Sequence, residues 1–142
     1  MQTLEWAYAV LSRLPELAGA LDVPLDALHE RVWPDVAPRD VLGTVVVFSA
    51  GDPSDRLGLG AGPRLGSVVP LTVRVIVAAP AYDPAAPAAR AIYDRLHGAQ
   101  DEAVPGGGRM ATCRRLTGIA YPETTEGVQY RHLGHTFEVE ID

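Results

Sequence analysis

The chain has 142 residues, enough for one domain built around a single hydrophobic core. Its formal net charge is −6, and its 12 cationic side chains are all arginine, which disfavours a module that grips nucleic acid through clustered cations. Its single cysteine, Cys113, excludes an internal disulfide framework and a cysteine-rich zinc site.

The first predicted element is an N-terminal amphipathic helix. From Leu4 to Leu11, apolar residues recur at the i, i+3, i+4, i+7 spacing of one helix face, which predicts a helix over residues 3–14. Thr3 stands where an N-cap is expected, and Pro15 interrupts the pattern.

Shorter elements follow this helix. The run LPELAGALDVPLDALHER predicts a helical turn, a break at Pro24 and a short second helix toward Arg31. Residues 33–38, WPDVAP, should be extended, because each proline restricts the residue before it to β or polyproline geometry. Residues 43–49, GTVVVFS, have the density of β-branched side chains that is typical of a buried strand.

Residues 50–67, AGDPSDRLGLGAGPRLGS, form a long glycine-rich connection. Neither phosphate-binding pattern, G-x-G-x-x-G or G-x-x-x-x-G-K-[ST], fits the spacing of its glycines, and no helix follows them. We therefore predict a long hairpin loop, of a length that is often functional in compact domains. The glycines in question are Gly58, Gly60, Gly62 and Gly66.

A strand and the clearest helix come next. Residues 69–80, VPLTVRVIVAAP, alternate apolar and mixed side chains as in a central antiparallel strand. Residues 83–98 predict a helix with Asp83 as N-cap, Pro84 at the first helical position and Gly98 at the C-terminal cap. Its predicted packing face consists of Ala88, Ala91, Ile92, the stem of Arg95, and Leu96 or Ala99.

The C-terminal part predicts a turn-rich connector over 99–109, a strand over 110–120, a loop over 121–127 and a final strand over 128–142. The order of elements indicates an α+β domain: an antiparallel β-sheet with helices packed on one face and a long Gly-rich hairpin loop. We expect one domain to span residues 1–142.

Two histidines three residues apart, His132 and His135, raise the possibility of a metal site. Side chains three apart on a strand point to opposite faces, so the pair cannot chelate one ion unless Gly134 introduces a bulge. A zinc site would also need a third ligand, and His29 and His97 stand on predicted helices with nothing to bring them near. Structural or interface histidines, pH-sensitive contacts and a metal site stay open, in that order of preference. His135 shares its predicted face with Phe137, Val139 and Ile141, and His132 shares the other with Tyr130, Thr136, Glu138 and Glu140.

No catalytic constellation is recognisable. Cys113 stands in a predicted strand without a base partner, which favours a small buried apolar group over a nucleophile. The serines lack a G-x-S-x-G elbow. Asp52 and Asp55 flank a proline and indicate a turn, while Arg114 and Arg115 should project to opposite sides of a strand. We therefore expect neither an enzyme nor a cofactor.

Membrane insertion is also disfavoured. No segment reaches the about 18 consecutive apolar residues that a spanning helix needs, and the first residues lack a basic leader. We expect a soluble protein made in the cytoplasm, without a membrane partner.

Several segments, in order, resemble the tail-completion proteins of long-tailed phages. This family is also called tail terminators or tail-to-head joining proteins, and it occurs in prophages and gene transfer agents. The resemblance runs through ALHERVWPDVAP, GTVVVFSAGDPSD, LTVRVIVAAPAYDPAAPAARAIYDRLHG and the closing GVQYRHLGHTFEVEID. Each segment alone is a weak strand or turn pattern, but the ordered set spans nearly the whole chain.

The resemblance implies a structural role in the tail or neck of a virion, assembled in the host cytoplasm. It implies a ring, expected to be a homo-hexamer, that docks on the tail tube protein, stops tube polymerisation and meets a head-side connector or stopper protein. DNA would pass through the lumen without specific binding, which suits an acidic chain. The candidate interface or lumen residues are Asp52, Asp55, Arg56, Arg64, Tyr130, His132, Glu138, Glu140 and Asp142.

Two alternatives remain at this point. The chain could be a neighbouring head-to-tail connector, which resembles a terminator in size and in forming rings. It could instead be a small-ligand binding module that uses a cleft between the helix over 83–98 and the sheet, because the small alanines of that helix can leave a groove.

Overall fold

A computed structural model describes residues 2–38, 43–57 and 64–141, and it describes only the backbone at 55–57 and 64–66. The fold is α+β, as predicted. Its helices are α1 (Gln2–Leu11), α2 (Pro15–Leu21), a 3-10 helix (Leu25–Arg31) and α3 (Ala85–Leu96). Its strands are β1 (Val32–Pro34), β2 (Val45–Ala50), β3 (Ser54–Leu57), β4 (Arg64–Ala78), β5 (Gln100–Ala103), β6 (Arg109–Thr125) and β7 (Val128–Ile141).

Within the described part of the chain, seven strands form one sheet. The hydrogen-bonded order is β1-β2-β4-β7-β6-β5, and β3 pairs with β4 on the side that β2 also occupies. Every pair is antiparallel except β1 with β2. The long strands β4 and β7 form the centre, which confirms the central strand predicted over 69–80, although β4 already ends at Ala78.

The core lies between one face of the sheet and the helices. The alternation predicted for β4 is confirmed, since the side chains of its apolar series are fully buried and those between them are half-buried. The core-facing residues include Leu71, Val73, Val75 and Val77 on β4, Phe137 and Val139 on β7, and Trp6, Leu11, Leu17 and Ile92 on the helices.

Helix α3 confirms the predicted helix with a changed start. Pro84 takes the N-cap position without a side-chain hydrogen bond, so the predicted capping role of Asp83 is wrong. Gly98 follows the helix with a φ of +85°, a left-handed conformation that glycine adopts without steric cost. The buried face consists of Ala85, Ala88, Ala89, Ile92 and Leu96.

Helix α1 also begins earlier than predicted. It starts at Gln2, whose side-chain amide donates to the backbone oxygen of Gly107, and Thr3 lies inside the helix as a buried residue. The predicted N-cap role of Thr3 is therefore wrong.

One ionic cluster ties α1, α3 and β5 together. Arg95 donates two hydrogen bonds to the carboxylate of Glu102, at 2.9 and 2.7 Å, and the indole of Trp6 donates to the same carboxylate at 3.1 Å. Burial acts to raise the pKa of Glu102, but the bonds from Arg95 and Trp6 and the charge of Arg95 outweigh it, so the pKa lies below its usual value.

Two predictions for the C-terminal half are wrong. The predicted connector over 99–109 contains strand β5, and the predicted loop over 121–127 belongs mostly to β6, which continues to Thr125. A tight turn at Glu126 and Gly127, both with positive φ, joins β6 directly to β7. Pairing with the first residues of β7 holds this stretch extended in spite of its turn-rich composition.

None of the helices in the described ranges is long and apolar enough to cross a lipid bilayer.

Candidate functional site

The two faces of β7 carry different side chains, and the two histidines separate them. His135 faces α3, where its Nε2 lies 2.9 Å from the backbone oxygen of Ala89. His132 projects from the opposite, open face of the sheet, as the strand alternation predicts. Across residues 2–38, 43–57 and 64–141, no group of three or more His, Cys, Asp or Glu side chains could hold a metal ion.

On the open face, His132 is the centre of a closed polar cluster. The ring of Tyr121 stacks on it with centroids 4.4 Å apart, leaving the histidine only 3% exposed. Its Nε2 lies 3.0 Å from a carboxylate oxygen of Glu123, and its Nδ1 lies 3.5 Å from Arg74, which also donates to the Tyr121 hydroxyl at 2.6 Å. The imidazole is thus satisfied by neighbours within the chain, and Tyr130 lies beside it in the wall of an open cavity of about 330 Å³.

The predicted acidic face of β7 is partly neutralised. Glu138 lies opposite Arg114 on β6, and their side chains form an ion pair at 3.3 Å. Glu140, two residues on, is half-buried and has interactions of its own. Asp142, the third acid predicted here, lies outside the described residues. The face therefore combines acids with an arginine.

The candidates from the glycine-rich region lie at the β3 end of the sheet. Asp52 is exposed in the short connection between β2 and β3. Asp55 and Arg56 are in β3, and Arg64 is the first residue of β4, with only the backbone described for these three. The structure places this group one strand away from the β7 acids, since β4 lies between Ser54 and Glu140, whereas Tyr130 and His132 lie farther along β7. Gly58, Gly60 and Gly62 of the predicted hairpin loop lie outside the described residues, whereas Gly66 is part of β4.

A groove on the helix-covered face lies where the ligand-binding alternative places its cleft. It has a volume of about 750 Å³ and lies between α3 and the β6–β7 hairpin. The helix side is formed by Ala86, Ala89, Arg90 and Tyr93, and the sheet side by Arg115, Gly118, Ile119, Ala120, Leu133, Gly134 and His135. Its walls are mainly small and apolar, with two arginines at the surface.

Arg115 is held in a defined position at this groove. Its Nε donates to Nδ1 of His135 at 3.0 Å, which leaves the second ring nitrogen of a neutral His135 to donate to Ala89. Burial and the nearby positive charge of Arg115 lower the pKa of His135, against the opposing effect of the Ala89 hydrogen bond. No carboxylate among the described residues forms an ion pair with Arg115.

His97 belongs to the same neighbourhood, contrary to the sequence interpretation that nothing brings it near the final strand. Its ring stacks on Tyr93 at 5.0 Å, and Tyr93 contacts His135 at 5.6 Å. The Nδ1 of His97 accepts a hydrogen bond from the backbone N–H of Arg115. The i, i+4 spacing of Tyr93 and His97 could have indicated their contact, but no local signal relates them to β6 or β7.

Cys113 has the structural role predicted for it. It is buried in β6 against the core, and burial raises the pKa of its thiol to about 12. Because the thiolate is the reactive form, this side chain is chemically inert at neutral pH.

Comparison with solved structures shows a shared fold. The chain is similar to a chain in the structure titled "Virion of native gene transfer agent (GTA) particle", with a TM-score of 0.56 over 93% of this chain and 97% of the other. The two chains share a fold. Their sequences are 21% identical. No protein-family profile matches the sequence, and no curated protein matches it.

Proposed function

We propose that this chain is a structural protein of a phage-like virion, a single domain over residues 1–142 that caps the tail tube as a hexameric ring. In this role it stops tube polymerisation and joins the tail to a head-side connector or stopper protein, without catalysis. The observation that carries the proposal is the fold shared, over almost the full length of both chains, with a component of a gene transfer agent virion. The ordered sequence resemblance to tail-completion proteins supports the finer role.

The sheet geometry is compatible with a ring. A closed cyclic ring requires two different patches on each subunit, because one patch meets the other on the next copy. Among the strand edges of the described chain, β3 and the distal part of β6 lie on different sides of the β4–β7 centre and could serve as two such patches.

The acidic surface suits a channel for DNA. A basic lumen would bind the phosphates, whereas an acidic one lets the duplex slide. We assign the lumen surface to the open-face acids of β7, Glu138 and Glu140 with Asp142, or to the connection around Asp52 and Asp55.

Reversal of these charges tests the lumen assignment. Glu138→Arg with Glu140→Arg should slow DNA ejection in virions that still assemble, and Asp52→Arg with Asp55→Arg tests the second surface in the same way. Glu16→Arg with Glu30→Arg, a double reversal at exposed positions of α2 and the 3-10 helix, controls for the change in net charge. Normal ejection kinetics in both double variants would exclude both surfaces.

The decisive experiment for the tail role is imaging of particles that lack this protein. Loss of a terminator should leave tails of uncontrolled length, or tails that do not join filled heads. Loss of a neighbouring connector should leave tails of normal length that fail to join. Normal particles would contradict both roles, and re-expression of the intact chain must restore the wild-type length distribution.

A small-ligand binding module is the second candidate, because the groove between α3 and the sheet lies where that hypothesis expects a cleft. Native mass spectrometry separates the two candidates. A six-subunit ring supports the tail role. A monomer whose melting temperature rises with a bound small molecule supports the ligand-binding role, provided that Gly118→Leu, which fills the groove, abolishes the rise.

A further inference from the structure

The outer edge of β6 is only partly covered. Strand β5 pairs with β6 from Arg109 to Thr112, and beyond it the backbone of Cys113 exchanges hydrogen bonds with Gly98 and Ala99. The N–H of Arg115 is taken up by His97. From Leu116 onward, no strand in the described part of the chain pairs with this edge.

The register identifies which backbone groups point outward there. Before Leu116, every second residue of β6 directs its backbone groups away from β7, as the bonds of Cys113 and Arg115 show. The bulge at Leu116 adds one residue, so the outward-pointing positions move by one after it. The backbone groups of Gly118 and Ala120 consequently point away from β7, as does Pro122, which has no N–H to offer. Outward backbone groups continue to Thr124, but Pro122 interrupts the series of N–H donors, so two consecutive outward N–H groups are offered only by Gly118 and Ala120.

The same segment forms one wall of the groove beside α3. Gly118 and Ala120 line it, and α3 runs along the opposite side. An incoming strand at this edge would find backbone partners on β6 and a small, apolar groove for its side chains. The guanidinium of Arg115 lies over Gly118, since a Cβ added to Gly118 would be 2.5 Å from an Arg115 nitrogen. The positive charge of Arg115, which no carboxylate of the described residues pairs, thus lies at the entrance.

On the other side of β4, strand β3 also has a free edge, because β4 is its only strand partner among the described residues. The backbone N–H of Gly51 donates to the backbone oxygen of Pro70. Every second residue of β4, counted from Pro70, therefore directs its backbone groups toward β2 and β3. These include Val68 and Gly66, which pair with Ser54 and Arg56. Asp55, between those two, therefore directs its backbone groups outward.

We propose that β3 of a second copy of this chain adds to the β6 edge at Gly118 and Ala120, which brings the segment that carries Asp52 and Asp55 beside Arg115. Three observations favour this occupant over an unrelated peptide: the charge of Arg115, which no described carboxylate pairs, the acids in the sequence at β3, and the position of the two edges on different sides of the β4–β7 centre. Main-chain hydrogen bonds join the two strands, and the fit of the incoming side chains in the groove makes the contact selective. The inference rests on the proposed ring, since repeated head-to-tail addition forms a ring when the rotation between copies closes.

Cysteine trapping tests the contact even if the subunits associate weakly. Chains carrying Asp55→Cys are mixed with chains carrying Ala120→Cys and oxidised. The buried Cys113 does not compete, because its thiol is inert. We expect mixed disulfide dimers at a yield at least about tenfold above that with Thr124→Cys, because pairing raises the local thiol concentration. Thr124 is on the same strand and in the same alternation as Ala120, but outside the groove.

A chain that carries both cysteines should yield a ladder of covalent oligomers ending in a closed ring. A mixture of chains that carry one cysteine each, at 55 or at 120, should stop at dimers. Equal trapping at positions 120 and 124, or none at either, would overturn the proposal.

Proline substitution provides an independent measurement on chains without added cysteines. Ala120→Pro removes the outward N–H and leaves the β7 side of the ladder intact, so subunit association should weaken by about tenfold or more. Thr124→Pro should leave it unchanged. Denaturation midpoints establish that both variants fold, and association that is unaffected by Ala120→Pro contradicts strand addition at this edge.

Mixing the two edge variants reveals the direction of the contact. Asp55→Pro blocks the donor edge and Ala120→Pro blocks the acceptor edge, so each variant alone should fail to assemble. Their mixture retains one intact contact and should stop at heterodimers. If rings form regardless of both prolines while loss of the protein still disrupts tails, the tail role stands and this interface is wrong.

Discussion

Arg115 on β6 and His135 on β7 form a direct hydrogen bond of 3.0 Å, from the guanidinium Nε to the imidazole Nδ1. The bond requires an unprotonated Nδ1, and the other ring nitrogen is engaged by the backbone oxygen of Ala89. A neutral histidine therefore holds a charged arginine at the groove. The same atoms link helix α3 to the sheet.

Protonation of His135 should destabilise the fold. Burial lowers the pKa of His135 below its ordinary value of 6.5, so the unfolded chain takes up this proton at a higher pH than the folded one. The stabilisation from this residue is complete above pH 6.5 and declines as the pH falls toward the lowered pKa. Urea unfolding at a series of pH values should show this decline in the wild type and not in His135→Gln. A constant stability difference between the two proteins from pH 7.5 to 5 would contradict it.

The Glu102 carboxylate should contribute stability in a more acidic range. Its pKa is lowered from 4.5 because the bonds from Arg95 and Trp6 and the charge of Arg95 outweigh burial. The contribution is present above pH 4.5 and is lost as the pH falls through the lowered pKa. We expect Glu102→Gln to lose about 1–2 kcal/mol at pH 7, with the difference from wild type narrowing in acid. Arg95→Met should give a similar loss, and a double-mutant cycle measures how far the two losses overlap.

Two glycine-to-alanine substitutions should change stability in opposite directions. A Cβ at Gly134 would overlap the backbone oxygen of Val73 and lie 2.9 Å from Cα of Arg74, where β7 approaches β4 closely. Gly134→Ala should therefore cost about 1–3 kcal/mol. A Cβ at Gly19, in helix α2, would have no other atom within 4 Å, so Gly19→Ala should stabilise the protein by about 0.5–1 kcal/mol. Denaturant midpoints measure both.

Leucine-to-alanine substitutions in the core and on the exposed hairpin should differ in their cost to the free energy of unfolding. Leu71 on β4 is 0% exposed, whereas Leu116 at the β6 bulge is 49% exposed. Leu71→Ala should cost about 2–5 kcal/mol, because it removes buried methyl groups and leaves a cavity. Leu116→Ala should stay within about 0.5 kcal/mol. Equal losses would mean that Leu116 is covered in solution.

The thiol of Cys113 should report unfolding. It is 1% exposed and its pKa is raised to about 12 by burial. A thiol reagent such as Ellman's reagent should react with the native protein only at the rate of opening, and with one equivalent of thiol in denaturant. Thr124→Cys should add one thiol that reacts at once. Rapid labelling of the native wild type would show that β6 opens easily.

The core strands could be predicted from the sequence because their signal is local. The alternation along β4 predicted which of its side chains are buried, and the alternation along β7 predicted that His132 and His135 project to opposite faces. Strand alternation depends only on backbone geometry, so it can be read without knowing any partner. The capping residues were less predictable, because the starts of α1 and α3 depend on where neighbouring segments dock.

The amino-acid sequence by itself determined the α+β class, the central strands and the position of α3, because helix and strand periodicities are properties of consecutive residues. Only the tertiary structure decided that 121–125 extends β6, that the bulge at Leu116 redirects the backbone of Gly118 and Ala120, and that Arg115 meets His97 and His135. These relationships depend on strand register and on packing between distant segments, which no local pattern encodes.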